Sequence, residues 1–242
     1  MTKPPRTKRA EDARARILEV AERLFALHGI DAVSMRQINE AAGQKNGSAI
    51  HYHFGSRDGL IDAIFDLRVT GTDALRRQYL DQVKEEAGEN LPTLRDIASA
   101  IVLPTFVELK PGAKTYHRRF VKQIHLQHHL MDRFLSKRYD FGLRECFRLI
   151  RWIRPDIPAP VQYHRYIHAS AISVDAAANL EERNDLDPKS VTQDWIDLHV
   201  ACCIDSIAGV FAAPVSDAAI NLSGDKERSS TTLDQLRAHG PM

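Results

Sequence analysis

Hydrogen-bonding side chains dominate the segment 34–53, which holds few large apolar residues. Within it, Ser34 and Gln37 have the spacing of a capping box, in which each side chain bonds the backbone N–H of the other residue. This pair predicts the start of a short helix, and Gly43 then permits a tight turn. The next stretch, 46–53, is too polar for a core helix. A polar helix presented by a tight turn is the arrangement that contact with base edges in the DNA major groove requires.

The residues that follow extend this pattern. YHFGSR at 52–57, followed by GL at 59–60, resembles the YHFGSK-type signature of the tetracycline-repressor (TetR) family of bacterial regulators. AAG at 41–43 and the end of the first helix, LFALHG at 24–29, are similar to the same pattern. The resemblance covers about residues 10–68, roughly a quarter of the chain.

The chain departs from the commonest family pattern in the turn between Gly43 and Tyr52. It holds one residue more there, and QKN at 44–46 replaces the usual apolar residue and small cap. The extra residue leaves the predicted fold unchanged but alters which side chains reach the bases.

The resemblance implies phosphate contacts for two residues, Tyr52 and Arg57. A phenol donates to a phosphate oxygen, and a guanidinium beside a helix N-terminus adds to a positive anion site. Arg36, in the first turn of the preceding helix, is a third candidate for backbone contact. The candidate base readers have side chains that can bond guanine or adenine edges: Gln44, Lys45, Asn46, Ser48 and His51. For each residue the alternative is an ordinary solvated surface position.

The charge distribution fits DNA contact at one end of the chain. The formal net charge is +1, but residues 1–57 hold ten Lys and Arg against six Asp and Glu, a net of +4. The remaining residues have a net charge of −3. A basic N-terminal module on a slightly acidic body favours a nucleic-acid partner at the N-terminal end.

Composition predicts a cytoplasmic protein without membrane segments. No uninterrupted apolar run approaches the ~18–20 residues of a membrane helix, and the basic N-terminus lacks the apolar stretch of a signal peptide. The three cysteines, Cys146, Cys202 and Cys203, suit neither a disulfide framework nor a C-x-x-C metal site. A reducing compartment is the simple interpretation.

Apolar spacing predicts an all-α fold, an N-terminal three-helix helix-turn-helix domain followed by a C-terminal helical bundle. After Ser56, which can cap a helix, helical patterns recur at about 93–109, 114–129, 132–153, 160–182 and 190–212. The predicted domains are a disordered basic tail at 1–9, the DNA-binding domain at 10–68, a ligand-binding and dimerisation bundle at 69–213 and a mobile tail at 214–242.

The last two long helices carry many small and apolar residues, which allow close helix approach. The resemblance implies that they pair with those of a second subunit in a homodimer. Packing within one chain would use the same pattern.

Aromatic and histidine side chains recur in the middle helices, and they predict a pocket for a medium-sized, mostly apolar effector. The candidate lining is Phe106, Tyr116, Phe120, His125, Trp152, Tyr163 and His168. Core packing is the alternative for each of them.

A histidine cluster offers a different function. His125, His128 and His129 would lie at i, i+3 and i+4 of one helix, and three imidazoles can hold a zinc-like ion. Neighbouring positions diverge by about 100° on a helix, which strains three-way coordination. We therefore expect no metal site and no cofactor, and keep metal sensing as an alternative.

An enzyme is disfavoured because the chain lacks a G-x-S-x-G elbow and a glycine-rich phosphate loop. The expected function is a homodimeric transcriptional repressor that binds a palindromic double-stranded DNA operator. A small-molecule ligand would release it.

Overall fold

The computed structural model describes residues 6–44, 47–136 and 141–223, and every regular element among them is an α-helix. This confirms the predicted all-α class. The helices are α1 Arg6–His28, α2 Met35–Ala41, α3 Ala49–Phe54, α4 Arg57–Ala87, α5 Leu94–Phe106, α6 His117–His125, α7 His128–Ser136, α8 Phe141–Ile153, α9 Ala159–Leu186, α10 Gln193–Ala212 and α11 Asp217–Ser223.

Local signals explain several helix starts. Ser34 and Gln37 form a complete capping box at α2, as the sequence predicts, and Thr93 and Asp96 form another at α5. The Thr192 hydroxyl accepts from the backbone N–H of Trp195 at the start of α10. These side chains satisfy backbone donors that have no partner inside the helix.

Two other helices begin where a distant residue supplies the cap. At the start of α6, the Glu181 carboxylate of α9 accepts from the backbone N–H groups of Arg118 (3.3 Å) and Arg119 (2.9 Å). At the start of α8, the Asp73 carboxylate of α4 accepts from the Gly142 N–H at 2.8 Å. These contacts join residues more than 60 positions apart, so no local pattern reveals them.

Both predicted tails need correction. Residues 6–9 of the expected disordered tail form the first turn of α1, since the Lys and Arg residues there are good helix formers. In the expected mobile tail, α11 occupies Asp217–Ser223, and the Ser216 hydroxyl accepts from the Ala219 N–H at 3.3 Å. Residues 1–5 and 224–242 lie outside the described residues.

The single helix predicted at 114–129 is also wrong. α6 ends at His125, where Gln127 N–H donates to the Ile124 carbonyl at 3.0 Å, and α7 begins at His128. The break allows Leu130 to be buried at 2% exposure in the N-terminal core.

The chain forms two compact units, and the first combines residues up to 71 with 111–139 and 177–190. Its core is centred on Phe25 of α1, whose ring centroid lies 6.3 Å from that of Phe120 in α6. Phe65 of α4 stacks on Phe134 of α7 at 3.7 Å. This differs from the predicted sequential boundary at residue 68, because α6 and α7 supply apolar surface that the short N-terminal helices lack.

The second unit combines 72–110, 140–176 and the residues from 191 onward. Here α5 packs against both α8 and α10. The core includes Ile97, Ile150, Ile207 and Phe211, each no more than 1% exposed. Among the described helices, only α10 is long and apolar enough to cross a membrane by length and composition, properties that a core helix of a soluble protein shares.

Candidate nucleic-acid interface

The helix-turn-helix scaffold begins with α2, held at its start by the capping box. The Ser34 hydroxyl accepts from Gln37 N–H at 3.2 Å, and Gln37 Oε1 accepts from Ser34 N–H at 2.8 Å. Ile38 is fully buried and Gly43 has φ +67°, so the turn after α2 uses the left-handed backbone region that favours glycine. The predicted short helix and tight turn are both present.

The second helix of the motif, α3, has one face in the core and one in solvent. Ile50 is 2% exposed and belongs to the hydrophobic core of the first unit. Ser48, His51 and Tyr52 are exposed, and Tyr52 N–H donates to Ser48 O at 2.9 Å. Because positions three and four apart share a helix face, these three residues form one outward stripe, which we call the α3 stripe.

Tyr52 has the surroundings expected of an external contact residue. It is 79% exposed, and its ring meets the His53 ring edge-on at 5.0 Å. That contact orients the phenol while leaving it open to solvent.

Arg57 is placed differently from what the resemblance implies. Its guanidinium donates to the carbonyl of Val33 at 2.7 Å and to that of Ile30, and it lies 5.6 Å from the ring centroid of Phe25. These contacts tie the start of α4 to the loop before α2. The structure therefore favours a structural role for Arg57 over the predicted phosphate contact, since both terminal nitrogens of its guanidinium donate to backbone carbonyls of the same domain.

The turn from α3 to α4 explains Gly55 of the YHFGSR run and Gly59, which follows the run. Gly55 has φ +73°, and the Ser56 hydroxyl accepts from Gly59 N–H at 3.0 Å, which confirms the predicted cap. A Cβ atom added to Gly59 would lie 2.1 Å from the Phe54 carbonyl oxygen. This close approach requires a residue without a side chain.

The other predicted contact residues have varied positions. Arg36 is exposed and pairs with Glu40 at 2.8 Å, and that hydrogen bond raises the pKa of Arg36. Gln44 is half-buried, and its side-chain amide donates to the Ala42 carbonyl at 3.3 Å. Lys45 and Asn46 lie outside the described residues.

Arg14 of α1 is a further candidate for contact with DNA, and the helix-turn-helix motif did not reveal it. Its guanidinium lies 5.2 Å from the ring centroid of Phe54, at the end of α3, and the residue is exposed. The only sequence signal was the general excess of basic residues in the N-terminal region.

The histidine cluster does not have the predicted geometry. The break between α6 and α7 separates His125 from His128 and His129, so the three do not lie on one continuous helix. Burial lowers the pKa of His125 to about 4, whereas His129 is exposed. Among the described residues, no group of three His, Cys, Asp or Glu is arranged to hold a metal ion. The geometry gives metal sensing no support.

The residues predicted to line an effector pocket are divided between the two units. Tyr116, Phe120 and His125 belong to the first unit, where Phe120 is fully buried as a core residue. The second unit holds the remaining four: Phe106, Trp152, Tyr163 and His168. Phe106 is 4% exposed and Trp152 is 64% exposed, so these four side chains do not form one enclosed lining.

Comparison with known proteins agrees with the geometry of the N-terminal region. Residues 17–64 match the family model described as bacterial regulatory proteins, tetR family. The transcriptional regulator AcrR of Shigella flexneri is 35% identical over 99 residues, which are 41% of this chain and 44% of AcrR. TtgR of Pseudomonas putida is 33% identical over 116 residues, 48% of this chain and 50% of TtgR. The matches thus span about half the length of these relatives.

A solved structure extends the likeness of the fold beyond the N-terminal region. A tetR family transcription regulator of Shewanella sp. PV-4 superposes with a TM-score of 0.53, covering 80% of this chain and 97% of the other. At 14% identity this likeness concerns the fold alone. The matched N-terminal residues and the shared all-helical fold lead to one conclusion: residues 17–64 are similar to the DNA-binding region of bacterial regulatory proteins of the tetR family, and the fold of the chain resembles that of one solved member.

Proposed function

We propose that this chain is a cytoplasmic transcriptional repressor that reads an operator in double-stranded DNA with α3. The observation that carries the proposal is the α3 stripe. Its hydroxyl, imidazole and phenol point outward from a helix that Ile50 anchors in the core. Hydroxyl and imidazole groups can bond base edges, and a phenol can bond a phosphate. Two relatives that match over about a quarter of this chain are named as repressors, AcnR of Corynebacterium glutamicum and KstR2 of Rhodococcus jostii.

The proposed working form is a homodimer assembled through α9 and α10. Leu198 of α10 is 64% exposed and Ile167 of α9 is 46% exposed in the single chain. A twofold dimer buries the same surface of both copies. It would present two α3 helices to successive major grooves of a palindromic operator, about one helical turn apart or somewhat more.

The proposed switch is release from DNA by a small, mostly apolar effector bound in the helical body. Contact between Phe120 of α6 and Phe25 of α1 supports coupling, because both rings are in the core that also holds Ile50 of α3. Displacement of α6 would therefore disturb the support of α3. An effector causes release only if it binds the DNA-incompetent state more tightly than the competent one.

The proposal is tested by selecting duplexes from a randomised pool with the purified chain and measuring their affinity by mobility shift. We expect enrichment of a palindromic sequence bound at least ~1,000-fold more tightly than unrelated duplex at the same salt concentration. His51→Ala should relax discrimination at one base pair in each half-site. Arg77→Ala, an exposed change on α4 outside the first unit, is the matched control and should leave discrimination unchanged. Failure to enrich any sequence would contradict the proposal.

A further inference from the structure

The turn between α2 and α3 must be held in place by something other than α3 itself. α3 has only six residues, and Ile50 is its one fully buried side chain. The other apolar residues of α3 that pack against this core, Ala49 and Phe54, are only partly buried, so core packing alone restrains the rotation of this short helix weakly. The turn is also one residue longer than in the commonest family pattern, so the usual length does not set the position of α3.

Asn39 of α2 contacts both ends of this longer turn. Its main-chain carbonyl accepts from the Gln44 N–H at 2.9 Å, just after Gly43. Its side-chain amide nitrogen donates to the Gly47 carbonyl at 2.8 Å, two residues before α3 begins. One residue on a capped helix thus fixes where the turn leaves α2 and where it enters α3.

The position of Asn39 in the core is costly for a polar residue. The side chain is 4% exposed, and its amide oxygen is buried without a donor among the described residues. A buried amide oxygen without a hydrogen-bond donor lowers the stability of the fold, whereas an alanine side chain at this site would bury no polar atom. The amide is therefore explained by its hydrogen bond to the turn rather than by packing.

We infer that Asn39 is a positioning residue that determines DNA specificity by fixing the register of α3, and this inference rests on the proposed function. Asn39 is buried and does not itself contact DNA. It acts through Gly47, the residue next to Ser48, and so sets the direction in which the α3 stripe points. A loss of the amide should lower discrimination between sequences more than it lowers contact with phosphates, which tolerate small shifts.

The test compares Asn39→Ala with Ile38→Val, a matched change at the neighbouring buried residue of the same helix that leaves the turn contacts intact. The probes are the duplex that the wild-type chain selects from a randomised pool and the same duplex with one discriminated base pair exchanged. We expect Asn39→Ala to lower the affinity ratio of these two duplexes about tenfold, the order of one base contact. Ile38→Val should leave the ratio unchanged even where it lowers the melting temperature.

Amide hydrogen exchange of the free protein gives a second readout. Asn39→Ala should speed exchange at the amide of Tyr52, which is bonded within the first turn of α3, relative to Ile38→Val. If Asn39→Ala does not fold, Asn39→Ser takes its place, because a serine hydroxyl is too short to reach the Gly47 carbonyl.

An unchanged ratio in the Asn39 variant, or an equal fall in both variants, would overturn the inference and leave the proposed function intact. If the wild-type chain selects no duplex, the proposed function and this inference both fail. Faster exchange at Tyr52 together with an unchanged ratio would show a merely structural role and would also overturn it.

Discussion

Two residues of the YHFGSR run have opposite surroundings, although they are only five positions apart. Tyr52 is 79% exposed, whereas Arg57 uses its guanidinium on the carbonyls of Ile30 and Val33. One short run of residues can therefore contain a side chain that is open to an external partner and another that forms hydrogen bonds within the domain. Side-chain chemistry alone does not separate the two roles, because phosphate oxygens and carbonyl oxygens accept the same guanidinium hydrogen bonds.

Arg57→Ala is expected to lower the free energy of unfolding by about 3 kcal/mol, the low end for two hydrogen bonds made by a charged donor, because Arg57 is only partly buried. The slope of DNA affinity against salt concentration should stay unchanged. Tyr52→Phe is the matched comparison, with unchanged stability and uniformly weaker binding to all duplexes. Urea denaturation and mobility shifts over a salt series measure both quantities. A flatter salt slope with normal stability in Arg57→Ala would instead support the phosphate contact.

Two buried imidazoles make stability depend on pH. Burial, with nearby Arg118 and Arg68, lowers the pKa of His117 to about 3, and burial lowers that of His125 to about 4. The Glu181 carboxylate lies 4.0 Å from His117 Nδ1 but accepts from Arg118 and Arg119 as well. The unfolded imidazoles bind protons below pH 6.5, whereas the folded state keeps them neutral. The free energy of unfolding therefore decreases as the pH is lowered below 6.5.

Between pH 7 and pH 5 we expect a loss of about 2 kcal/mol for each of these two histidines. Denaturant unfolding at a series of pH values measures this loss. His117→Gln should remove roughly half of the change. A pH profile identical to that of the wild type in this variant would contradict the assignment.

At the scale of elements, the junction between α3 and α4 depends on backbone space. Gly59 lies against the Phe54 carbonyl, while Gly71, on the same helix α4, has no atom within 4 Å of an added Cβ. One glycine is thus needed for close approach, and the other weakens the helix by its flexibility. Their positions in the chain do not distinguish them.

Gly59→Ala should lower the free energy of unfolding by about 1–3 kcal/mol, because the new methyl group forces the turn apart. Gly71→Ala should raise it by about 0.5–1 kcal/mol as the matched control. Thermal unfolding monitored by circular dichroism gives both values. Equal effects of the two changes would show that the contact with Phe54 does not govern the junction.

At the scale of the whole molecule, the exposed apolar side chains of α10 bear on assembly. The helix buries Ile204, Ile207 and Phe211 in the second unit but leaves Leu198 64% exposed. In the proposed homodimer the second copy would cover this side chain. DNA affinity in that proposed homodimer would depend on two copies acting together.

Leu198→Arg is expected to give a folded monomer with operator affinity reduced at least ~10-fold, because one α3 can then engage only one half-site. Leu126→Arg, at a residue 66% exposed in the first unit, is the control and should remain dimeric. Sedimentation velocity and mobility shifts measure the two properties. A dimer with full affinity in Leu198→Arg would place the interface elsewhere.

The amino-acid sequence by itself determined the all-α class, the capping box at Ser34 and the helix-turn-helix with its turn at Gly43. These features depend on interactions between residues a few positions apart, so spacing alone reveals them. The exposure of the α3 stripe follows from the same helical period once Ile50 is placed in the core.

Only the tertiary structure decided the surroundings of Arg57, the cap that Glu181 provides for α6 and the hydrogen bond from the Asn39 side chain to the turn. It also divided the predicted pocket residues between two units and separated His125 from His128. Each of these depends on a donor meeting an acceptor, or on a helix break that lets an apolar residue reach the core. Such meetings are governed by the packing of whole helices, and the identity and spacing of neighbouring residues do not specify them.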